Sequence, residues 1–444
     1  MRYTALLIAC FFSVAANAQR TYRNNSVLAN GDWYKIAVKQ PGIYRINIAF
    51  LQSLGINIGN LQSGTVRLFG NGGEMLPEDN AVVPADDLLE NAIMVVDGGD
   101  GVINGNDYLL FYANGPQQWV KDSANKRFKH RKNLYGNESY YYLNIAGTGL
   151  RVQSRTVTGT PNQIVTAFKD RIFHELDTSN FLRSGKEWYG EEFSNTPGGT
   201  TNRTFSFTIP NFIAGSVQMI SNVAARSNGI ASSFIIRANN SNVAQHTVSA
   251  VGTGNYDPVA AAHELAASFN LSQAALSLQY SYQPASVNSQ GWLNWFELFP
   301  QRQLSMSGID QLLFRDWETV GAGNIAEFRL QNAASSTMVW DVTDPLRPQN
   351  ITGALNGNEL RLVNTAERLR EYVAFNQTNF LQPAAVGKIS NQDLHGATAP
   401  NYIIVTHPTL LSEAQRLATW HRQNQNLTTL TVSTEQVYHE FGSG

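Results

Sequence analysis

Cysteine is almost absent from this sequence, which has a single one, Cys10, in 444 residues. A disulfide needs a pair of cysteines and a cysteine-rich metal site needs several, so both are excluded. Cys10 lies in an N-terminal segment that reads as a leader. If cleavage follows Ala18, the mature chain has no cysteine and therefore no thiol nucleophile.

Charged residues are also scarce, at 15% of the chain, and the formal net charge is -2. Proteins that bind nucleic acid through its phosphates need clustered positive charge, so we expect no nucleic-acid partner. The sequence is instead rich in Gly, Asn, Thr and Ser, with an aromatic share of 11%. This composition is typical of short strands joined by turns on an exported protein.

Long hydrophobic runs are confined to the N-terminus. Arg2 precedes an apolar run over residues 5–16, and an A-N-A motif ends at Ala18. Because the run is too short to span a bilayer, residues 1–18 are predicted to be a secretory signal peptide. An alternative stays open, since Leu7 to Cys10 fits a lipoprotein cleavage box that would leave Cys10 lipidated. No other segment is long and apolar enough to cross a bilayer.

The pattern of strands and turns predicts a mainly β chain that ends in an α/β unit. The β part is expected to form sandwich-like or jelly-roll-like domains. We predict a signal peptide over 1–18, an N-terminal β-rich domain over 19–160, a β-sandwich domain over 161–304, a small β-rich domain or extension over 305–396, and the start of an α/β domain over 397–444.

Two local patterns give sharper expectations. The alternation on either side of Pro41-Gly42 predicts a hairpin-like pair of strands. Strict alternation in "GWLNWFELF" predicts one face with Trp292, Asn294, Phe296 and Leu298 and another with Leu293, Trp295 and Glu297. Four aromatic residues have two possible roles, a sugar-binding platform or core packing, and core packing is favoured. They are Trp188, Tyr189, Trp292 and Trp295.

The last residues follow a strand–helix–strand pattern. "NYIIVTH" is typical of a buried strand, and the next helix has an apolar stripe with Thr409 or Ser412 as N-cap. A second strand, "LTTLTVS", precedes a helix capped by Thr434. This is a right-handed parallel crossover. Since two parallel strands do not form a stable sheet alone, we expect the domain to continue beyond Gly444 and the chain to be a fragment.

The loop "DGGDGVINGNDY" is a candidate calcium site. Its oxygen ligands would be those of Asp97, Asp100, Asn104 and Asp107, with Gly101 at the turn, in a spacing that partly matches an EF-hand loop. The position of the first EF-hand ligand holds Val96. An Asn/Gly/Asp turn between two strands is therefore the favoured alternative. No other cofactor is expected.

A run of positive charge, "NKRFKHRKN" over residues 125–133, could contact phosphate groups of lipopolysaccharide or an acidic protein, although a solvated loop is favoured. The eight histidines are scattered without metal-ligand spacing. The pairs His174-Glu175 and His263-Glu264 lack the second histidine of a zinc helix, so surface or packing roles are expected.

Several segments together resemble a known family. They are "FYANGPQQW", "SGKEWYGEEF", "GWLNWFELFPQR", "FRDW", "VWDVTDP", "NQDLHG" and the crossover that starts at "NYIIVTH". In this order they are similar to the gingipain-type cysteine peptidases, and in particular to the sortases of the Bacteroidetes type IX secretion system. The resemblance runs from about Trp33 to Gly444.

The resemblance implies a caspase-like α/β peptidase domain after the β-rich part. It implies a peptidase and transpeptidase at the outer membrane and cell surface, which removes the C-terminal sorting domain of secreted cargo proteins and attaches the cargo to lipopolysaccharide. Implied partners are the cargo, the lipopolysaccharide acceptor and proteins of an outer-membrane attachment complex. In this family a cysteine thiolate paired with histidine attacks the scissile carbonyl.

No catalytic residue transfers to this chain. The family's histidine has a Gly-His-Gly setting, which none of the eight histidines matches, and Cys10 leaves with the leader. His395 and His439 belong to non-catalytic parts of the resemblance. We therefore expect no peptidase activity from this chain alone. The alternative from another class is a non-enzymatic surface protein that binds carbohydrate or acts as an adhesin.

Overall fold

The computed structural model describes residues 22–73, 75–183 and 186–444. The predicted signal peptide, with Cys10 and the cleavage position after Ala18, lies outside the described residues. Strands hold 44% of the residues and helices 9%, which confirms the mainly β fold class. Within the described ranges, no helix is both long enough and apolar enough to cross a membrane.

The N-terminal sandwich consists of a five-stranded and a three-stranded sheet. In spatial order, the larger sheet contains Ala384–Ile389, Trp33–Val38, Ser139–Ile145, Val66–Phe69 and Glu90–Asn91. The smaller sheet contains Gly42–Asn47, Tyr108–Ala113 and Met94–Val96. Ile36, Leu68 and Phe111 are among the side chains that form the core between the sheets. A short helix, Ile48–Ser53, follows the second strand.

The strands on either side of Pro41 do not pair with each other, so the hairpin prediction is wrong. Trp33–Val38 pairs with Ser139–Ile145, whereas Gly42–Asn47 pairs with Tyr108–Ala113 in the other sheet. Alternation of polar and apolar residues indicates only that one side of each strand is buried. This pattern is the same for two strands of one hairpin and for two strands in facing sheets.

The middle sandwich packs a five-stranded sheet on a four-stranded sheet. The first contains Ile172–Glu175, Gln290–Phe299, Gly215–Arg226 and Ala261–Leu271, with Glu192–Ser194 also paired to Gln290–Phe299. The second contains Asn202–Thr208, Ala275–Gln283, Ser232–Ala238 and Ser241–Val248. Phe234, Tyr280 and Phe296 lie in the shared core.

A β-bulge breaks the alternation predicted for "GWLNWFELF". Asn222 pairs with Trp295 and Val223 with Leu293, so Asn294 is an extra residue. Leu293 therefore points into the same core as Phe296 and Leu298, while Trp295 lies on the opposite face. The predicted faces are wrong before the bulge and right after it, because an inserted residue exchanges the two faces.

The third sandwich also has two sheets. One contains Gln153–Arg155, Gln349–Ile351, Met338–Asp341, Tyr372–Phe375 and Gln311–Phe314. The other contains Gln163–Val165, Ile325–Leu330, Glu359–Thr365 and Ala354–Asn356. Ala167–Lys169 and Gln301–Gln303 form a separate pair. The smaller sheet of the N-terminal sandwich packs on the third sandwich, where Ile43 and Tyr112 share a cluster with Trp340 and Phe375.

Strand pairing crosses the predicted domain ranges, and that division stays a prediction. Gln153–Arg155, from the predicted N-terminal domain, pairs with Gln349–Ile351 of the third sandwich. Ala384–Ile389, from the predicted third range, pairs with Trp33–Val38 and so completes the N-terminal sheet. The β-rich units are therefore interwoven along the chain.

The positively charged run forms part of a hairpin, and the solvated-loop prediction is wrong for it. The hairpin consists of Gln118–Asp122 and Arg127–Arg131. Alternation buries Phe128 and His130 while Lys129 and Arg131 face outward. Phe128 packs in a cluster with Ile220, Trp295 and Phe299 on the outer face of the middle sandwich.

The C-terminal unit has the predicted parallel crossover. Tyr402–Thr406 pairs in parallel with Thr429–Ser433, and the helix Leu411–Gln425 connects them. A helical turn, Thr434–Val437, continues as a π-helical turn, Tyr438–Gly442. The first strand is not buried on both sides in this chain, since Ile403 is 56% and Val405 55% exposed.

The caps of this unit differ from the prediction by one or more positions. Ser433, and not Thr434, caps the last helix in a capping box with Gln436. The side chain of His407 caps the 3-10 turn Pro408–Leu410, after which the longer helix begins without a side-chain cap. A short turn of this kind supplies the first backbone bonds of the helix, so no hydroxyl is needed there.

A buried ionic junction lies where the hairpin, the middle sandwich and the third sandwich meet. The guanidinium groups of Arg171 and Arg315 contact the carboxylate of Glu371 at 3.0 and 3.1 Å. Arg302 contacts Asp170 at 2.5 Å, and Arg315 lies 3.5 Å from the same carboxylate. Arg171 also lies over the ring of Phe128, 4.4 Å from its centroid. Since unpaired buried charge is costly, the junction constrains how these parts meet.

We expect Glu371→Ala to lower the free energy of unfolding by roughly 3 kcal/mol, because it removes the shared carboxylate of the buried Arg315 and the largely buried Arg171. Glu318→Ala is the matched control, since Glu318 pairs with Lys126 at 3.3 Å but both side chains are more than half exposed. Its effect should be much smaller because exposed pairs contribute little. Urea unfolding followed by tryptophan fluorescence measures both, and equal effects would contradict the account of the junction.

Candidate functional site

A cleft of about 880 Å³ opens between the N-terminal sandwich, the hairpin and the middle sandwich. One wall is the apolar loop of residues 75–85, which includes Leu76 and Val83. The opposite wall is polar and includes Lys129, His130 and Glu175. Gly442 of the last helical turn lines one end, so every part of the chain except the third sandwich contributes.

His130 on the polar wall is held between two carboxylates. Its Nδ1 lies 2.7 Å from Oε1 of Glu297 and its Nε2 lies 2.9 Å from Oε2 of Glu175. Its backbone N–H also donates to Oε1 of Glu297 at 2.7 Å. Glu297 is fully buried on the outer face of the middle sandwich. The arrangement therefore fixes the hairpin to that sheet.

Aromatic rings enclose the His130 imidazole. Phe173 stacks on it at a centroid distance of 4.5 Å, and Trp295 meets it edge-on at 5.2 Å. Burial lowers the pKa of His130, but hydrogen bonds with Glu175 and Glu297 outweigh burial, and the net pKa lies above its usual 6.5. The two hydrogen bonds to carboxylates thus favour the protonated form of the imidazole.

A second histidine is held in the same way at the C-terminal unit. Nδ1 of His395 lies 2.5 Å from Oε1 of Glu440, and Nε2 lies 3.3 Å from Oδ1 of Asp86. Glu440 also accepts the backbone N–H groups of Leu394 and His395. Burial lowers the pKa of His395, but bonds to Glu440 and Asp86 raise it above 6.5 overall. This contact joins the last helical turn to the N-terminal sandwich.

His439, the other histidine singled out from the sequence, faces a lysine. Its Nε2 lies 3.3 Å from Nζ of Lys35, and Lys35 lies over the ring of Tyr140 at 3.8 Å. Burial, followed by the charge of Lys35, lowers the pKa of His439 to about 4. Because the imidazole is neutral, it accepts the hydrogen bond from the ammonium group. His395 is thus engaged by carboxylates, and His439 by the amino group of Lys35.

One serine–histidine contact exists, but it is inaccessible. Nε2 of His246 lies 3.0 Å from Oγ of Ser221, and that oxygen lies 2.8 Å from Oη of Tyr280. Ser221 and His246 are both fully buried in the middle sandwich. Burial, together with nearby His263, lowers the pKa of His246 to about 3, so it is neutral. This group satisfies polar atoms inside the core and cannot reach a substrate.

The candidate calcium loop uses its own groups as hydrogen-bond partners. Asp97 accepts the N–H of Gly99 at 3.0 Å, and Asp100 accepts the N–H of Val102 and the side-chain amide of Asn104, both at 2.9 Å. These bonds lower the pKa of Asp100. Asp107 accepts the backbone N–H of Asn104 at 2.7 Å. These bonds are typical of Asx turns.

The three carboxylates of the loop, those of Asp97, Asp100 and Asp107, do not form a metal-binding group. In the ranges that the structure describes, no group of three or more His, Cys, Asp or Glu residues is arranged to hold a metal ion. The donor set therefore fits the turn better than it fits calcium, which prefers six or more oxygen ligands. Calcium binding stays a prediction of the sequence.

The aromatic residues considered as a sugar platform are dispersed. Trp292 packs with Phe181 and Tyr189 in one buried cluster, whereas Trp295 packs against the hairpin. Trp188 is 37% exposed and lines the cleft. The core-packing interpretation is therefore right for three of the four residues.

Sequence reasoning missed the roles of Glu297 and Glu440. Glu297 is a charged residue in an otherwise apolar strand, and that local contradiction was a usable signal. Its partner is 167 residues away, so no spacing rule could have identified it. Glu440 lies in the short "YHEFG" segment, where periodicity carries little information.

The chain is similar to known proteins in two respects. The family model of Peptidase family C25 matches residues 395–444. The crystal structure of dimeric latent PorU from Porphyromonas gingivalis superposes with a TM-score of 0.83 at 25% identity, covering 97% of this chain and 40% of that one. The chain thus spans less than half the length of that relative. No curated protein matches the sequence.

Other solved structures are only weakly similar. The CBM36-1 domain of a multidomain xylanase from the hindgut metagenome of Trinervitermes trinervoides has 9% identity and a TM-score of 0.18, covering 29% of this chain and 96% of that one. A peptide-N(4)-(N-acetyl-beta-D-glucosaminyl) asparagine amidase has 10% identity and a TM-score of 0.22, covering 63% and 87%. Scores this low carry no argument about fold or function.

Calcium should produce no binding heat and no thermal shift with this chain, because the loop's own amide groups occupy the carboxylates. Calorimetric titration and thermal unfolding with and without calcium measure this. Asp100→Asn is the control, since it removes the central acidic ligand of the alternative. A saturable heat that disappears in Asp100→Asn would establish the calcium site.

Proposed function

Since the chain is a PorU-like protein of the gingipain type, we propose that it is the N-terminal part of a type IX secretion sortase. In this proposal its three sandwiches form a platform, and the C-terminal unit is the beginning of the peptidase domain. The observation that carries the proposal is the TM-score of 0.83 over 97% of the chain, joined to the C25 match over residues 395–444.

The whole protein would remove the C-terminal sorting domain from secreted cargo and attach the cargo to lipopolysaccharide. It would act at the outer membrane and cell surface of a Bacteroidetes-type bacterium, after export by the leader over residues 1–18. Cargo proteins, the lipopolysaccharide acceptor and outer-membrane attachment proteins are its proposed partners. Because this chain corresponds to 40% of PorU, the β platform would position those partners for a site that lies outside it.

The chemistry of such a site needs a thiolate and an imidazole. The thiolate attacks the scissile carbonyl, and an amine or water then resolves the thioester. Cys10 is the one cysteine of the sequence and belongs to the proposed leader. His395 and His439 are engaged by Glu440 and Lys35 respectively, which agrees with structural roles.

The alternative function is a non-enzymatic surface protein that binds carbohydrate or acts as an adhesin. Trp188 is the observation that favours it, since this residue exposes part of its ring in a cleft that also contains amide and carboxylate groups. The dispersal of the other three aromatic residues weighs against an extended sugar platform. The sortase proposal therefore has the stronger support.

We expect no peptidase activity from the chain ending at Gly444, because it lacks the cysteine–histidine pair. The assay incubates the purified chain with a secreted protein that carries a C-terminal sorting domain, with and without a thiol-alkylating reagent. Cleavage that the reagent abolishes would contradict this prediction.

The two candidate functions differ in what the chain should capture. A platform should retain outer-membrane proteins from detergent-solubilised membranes, and a Trp188→Ala variant should retain them equally well. A carbohydrate-binding protein should instead retain a purified polysaccharide that is unrelated to lipopolysaccharide and lose it in Trp188→Ala. Retention of glycan alone, dependent on Trp188, would overturn the platform proposal.

A further inference from the structure

Two histidines connect separate parts of the chain with the same chemistry. Each imidazole lies between two carboxylates that come from different segments. We refer to these arrangements as the hairpin clasp, formed by His130 with Glu175 and Glu297, and the terminal clasp, formed by His395 with Asp86 and Glu440. The hairpin clasp joins the hairpin to the middle sandwich, and the terminal clasp joins the C-terminal unit to the N-terminal sandwich.

In the hairpin clasp both carboxylates can be satisfied only by a protonated ring. In the terminal clasp only Nδ1 of His395 is hydrogen-bonded, to Glu440, and Nε2 makes an ionic contact of 3.3 Å with Asp86 without hydrogen-bond geometry. An imidazolium donates from both nitrogens, whereas a neutral imidazole has one N–H and one lone pair. In the hairpin clasp the nitrogen–oxygen distances are 2.7 and 2.9 Å, so loss of the proton would set a lone pair against a carboxylate. The His130 and His395 side chains are each 3% exposed, which leaves water little access to compensate.

The two clasps differ in how many hydrogen bonds their buried carboxylate receives from groups other than the histidine. In the hairpin clasp, Oε2 of Glu297 is buried and has no hydrogen-bond partner, and Oε1 relies on the ring and backbone of His130. In the terminal clasp, Glu440 retains the N–H groups of residues 394 and 395 and the side-chain amide of Gln392. Deprotonation should therefore weaken the hairpin clasp more.

Both clasps border the cleft. His130 and Glu175 line its polar wall directly. Ala85, next to Asp86, lines the apolar wall, and Gly442, two residues after Glu440, lines one end. The segments that carry the clasps are therefore the segments whose separation would change the width of the cleft.

We propose that His130 and His395 act as proton-operated clasps, which hold the hairpin on the middle sandwich and the C-terminal unit on the N-terminal sandwich when protonated and let these segments, which border the cleft, separate when deprotonated. The proposal concerns the conformation of this chain and does not depend on the sortase role. It assigns the cleft a closed form at pH values at which both rings are protonated and an open form at higher pH.

The charged groups around each ring support this direction. The hairpin clasp is flanked by the pair Lys132–Asp177, at 2.7 Å, and by Lys129, which lies over the ring of Trp295. Asp393, whose pKa is lowered chiefly by hydrogen bonds from Asn25 and Ser26, lies close to the terminal clasp. Carboxylates thus outnumber cations at the ring nitrogens in both places.

The sign of the pH effect follows from the raised pKa of both histidines. A group with a raised pKa in the folded protein contributes stability fully below its unfolded value of 6.5, and loses it as pH rises through the folded value. His246 and His439 have lowered pKa values and destabilise the fold on acidification instead. Burial also lowers the pKa of Lys35, which contacts His439, to about 8, so the substitutions of the clasp residues are needed to separate the clasps from this ammonium group.

Distances between spin labels test the proposal, since one substitution, Cys10→Ser, leaves the full chain without cysteine. Val120→Cys, on the exposed side of the hairpin, with Glu264→Cys on the middle sandwich reports on the hairpin clasp, and Val83→Cys with Leu417→Cys reports on the terminal clasp. We expect both distances to lengthen or broaden between about pH 6 and about pH 9. Ser241→Cys with Asn270→Cys lies within the middle sandwich and should not change.

Substitutions of the clasp residues identify the group that titrates. Glu175→Gln keeps a hydrogen-bonding group but removes one charge, so it should shift the opening of the cleft to lower pH. His130→Gln should abolish the pH dependence of the first distance, and Glu175→Gln keeps the test decisive if His130→Gln does not fold. His421→Gln, on the exposed helix, is the control and should change nothing.

Histidine NMR signals of the same chain report the protonation of both rings. The proposal is supported if the distances change at the pH where these signals titrate and if Glu175→Gln moves both together. It is overturned if the distances stay constant while the rings titrate, if the pH dependence is the same in the clasp variants, or if neither ring loses its proton before the chain unfolds.

Discussion

A single, largely buried carboxylate, that of Glu371, holds two guanidinium groups where the β units meet. Arg171 reaches it from the segment before the middle sandwich and Arg315 from the third sandwich. Charges removed from water are tolerated only with partners in good geometry, so this contact fixes the positions of the elements that carry it. Phe128 of the hairpin packs on the same guanidinium groups, which brings the hairpin into the same constraint.

The segments that resemble gingipain-type proteins contribute largely to junctions in this chain. "FRDW" supplies Arg315 and also Trp317, which packs near Phe128. "GWLNWFELFPQR" supplies Glu297 to the hairpin clasp and Arg302 to the ionic junction. "NQDLHG" supplies Asp393 and His395 to the contacts between the two ends of the chain. The identity of these residues therefore follows from the contacts between the parts of the chain. None of these contacts requires a catalytic residue.

Short-range features of the fold were predictable from the sequence. The crossover over residues 402–433 follows from a change of period and from turn residues, and it is present. Features that depend on distant partners were not predictable. The strand Ala384–Ile389 pairs with Trp33–Val38 across about 350 residues, and no local pattern specifies that partner. The bulge at Asn294 is also invisible locally, because it is defined by the neighbouring strand.

The candidate site was predicted less well than the fold. The sequence predicts a loop at the run of positive charge because charged residues surround the two buried residues, Phe128 and His130. The alternation of buried and exposed positions is therefore not recognisable from the sequence. The cleft itself is formed by segments from four parts of the chain, so it exists only after the tertiary structure has formed. The sequence does show polar residues in apolar segments, such as Glu297, which indicates that they have buried partners. The identity of those partners depends on the tertiary structure.

The central claim is that the hairpin and the three sandwiches form one unit, joined by buried ionic contacts. Amide hydrogen exchange at neutral pH tests it most directly, because the N–H of His130 donates to the buried carboxylate of Glu297 at 2.7 Å. The account predicts that amides of the hairpin strand Arg127–Arg131 exchange as slowly as those of the strand Gly215–Arg226 in the middle sandwich. Rapid exchange of the hairpin amides while the sandwich stays protected would contradict the claim.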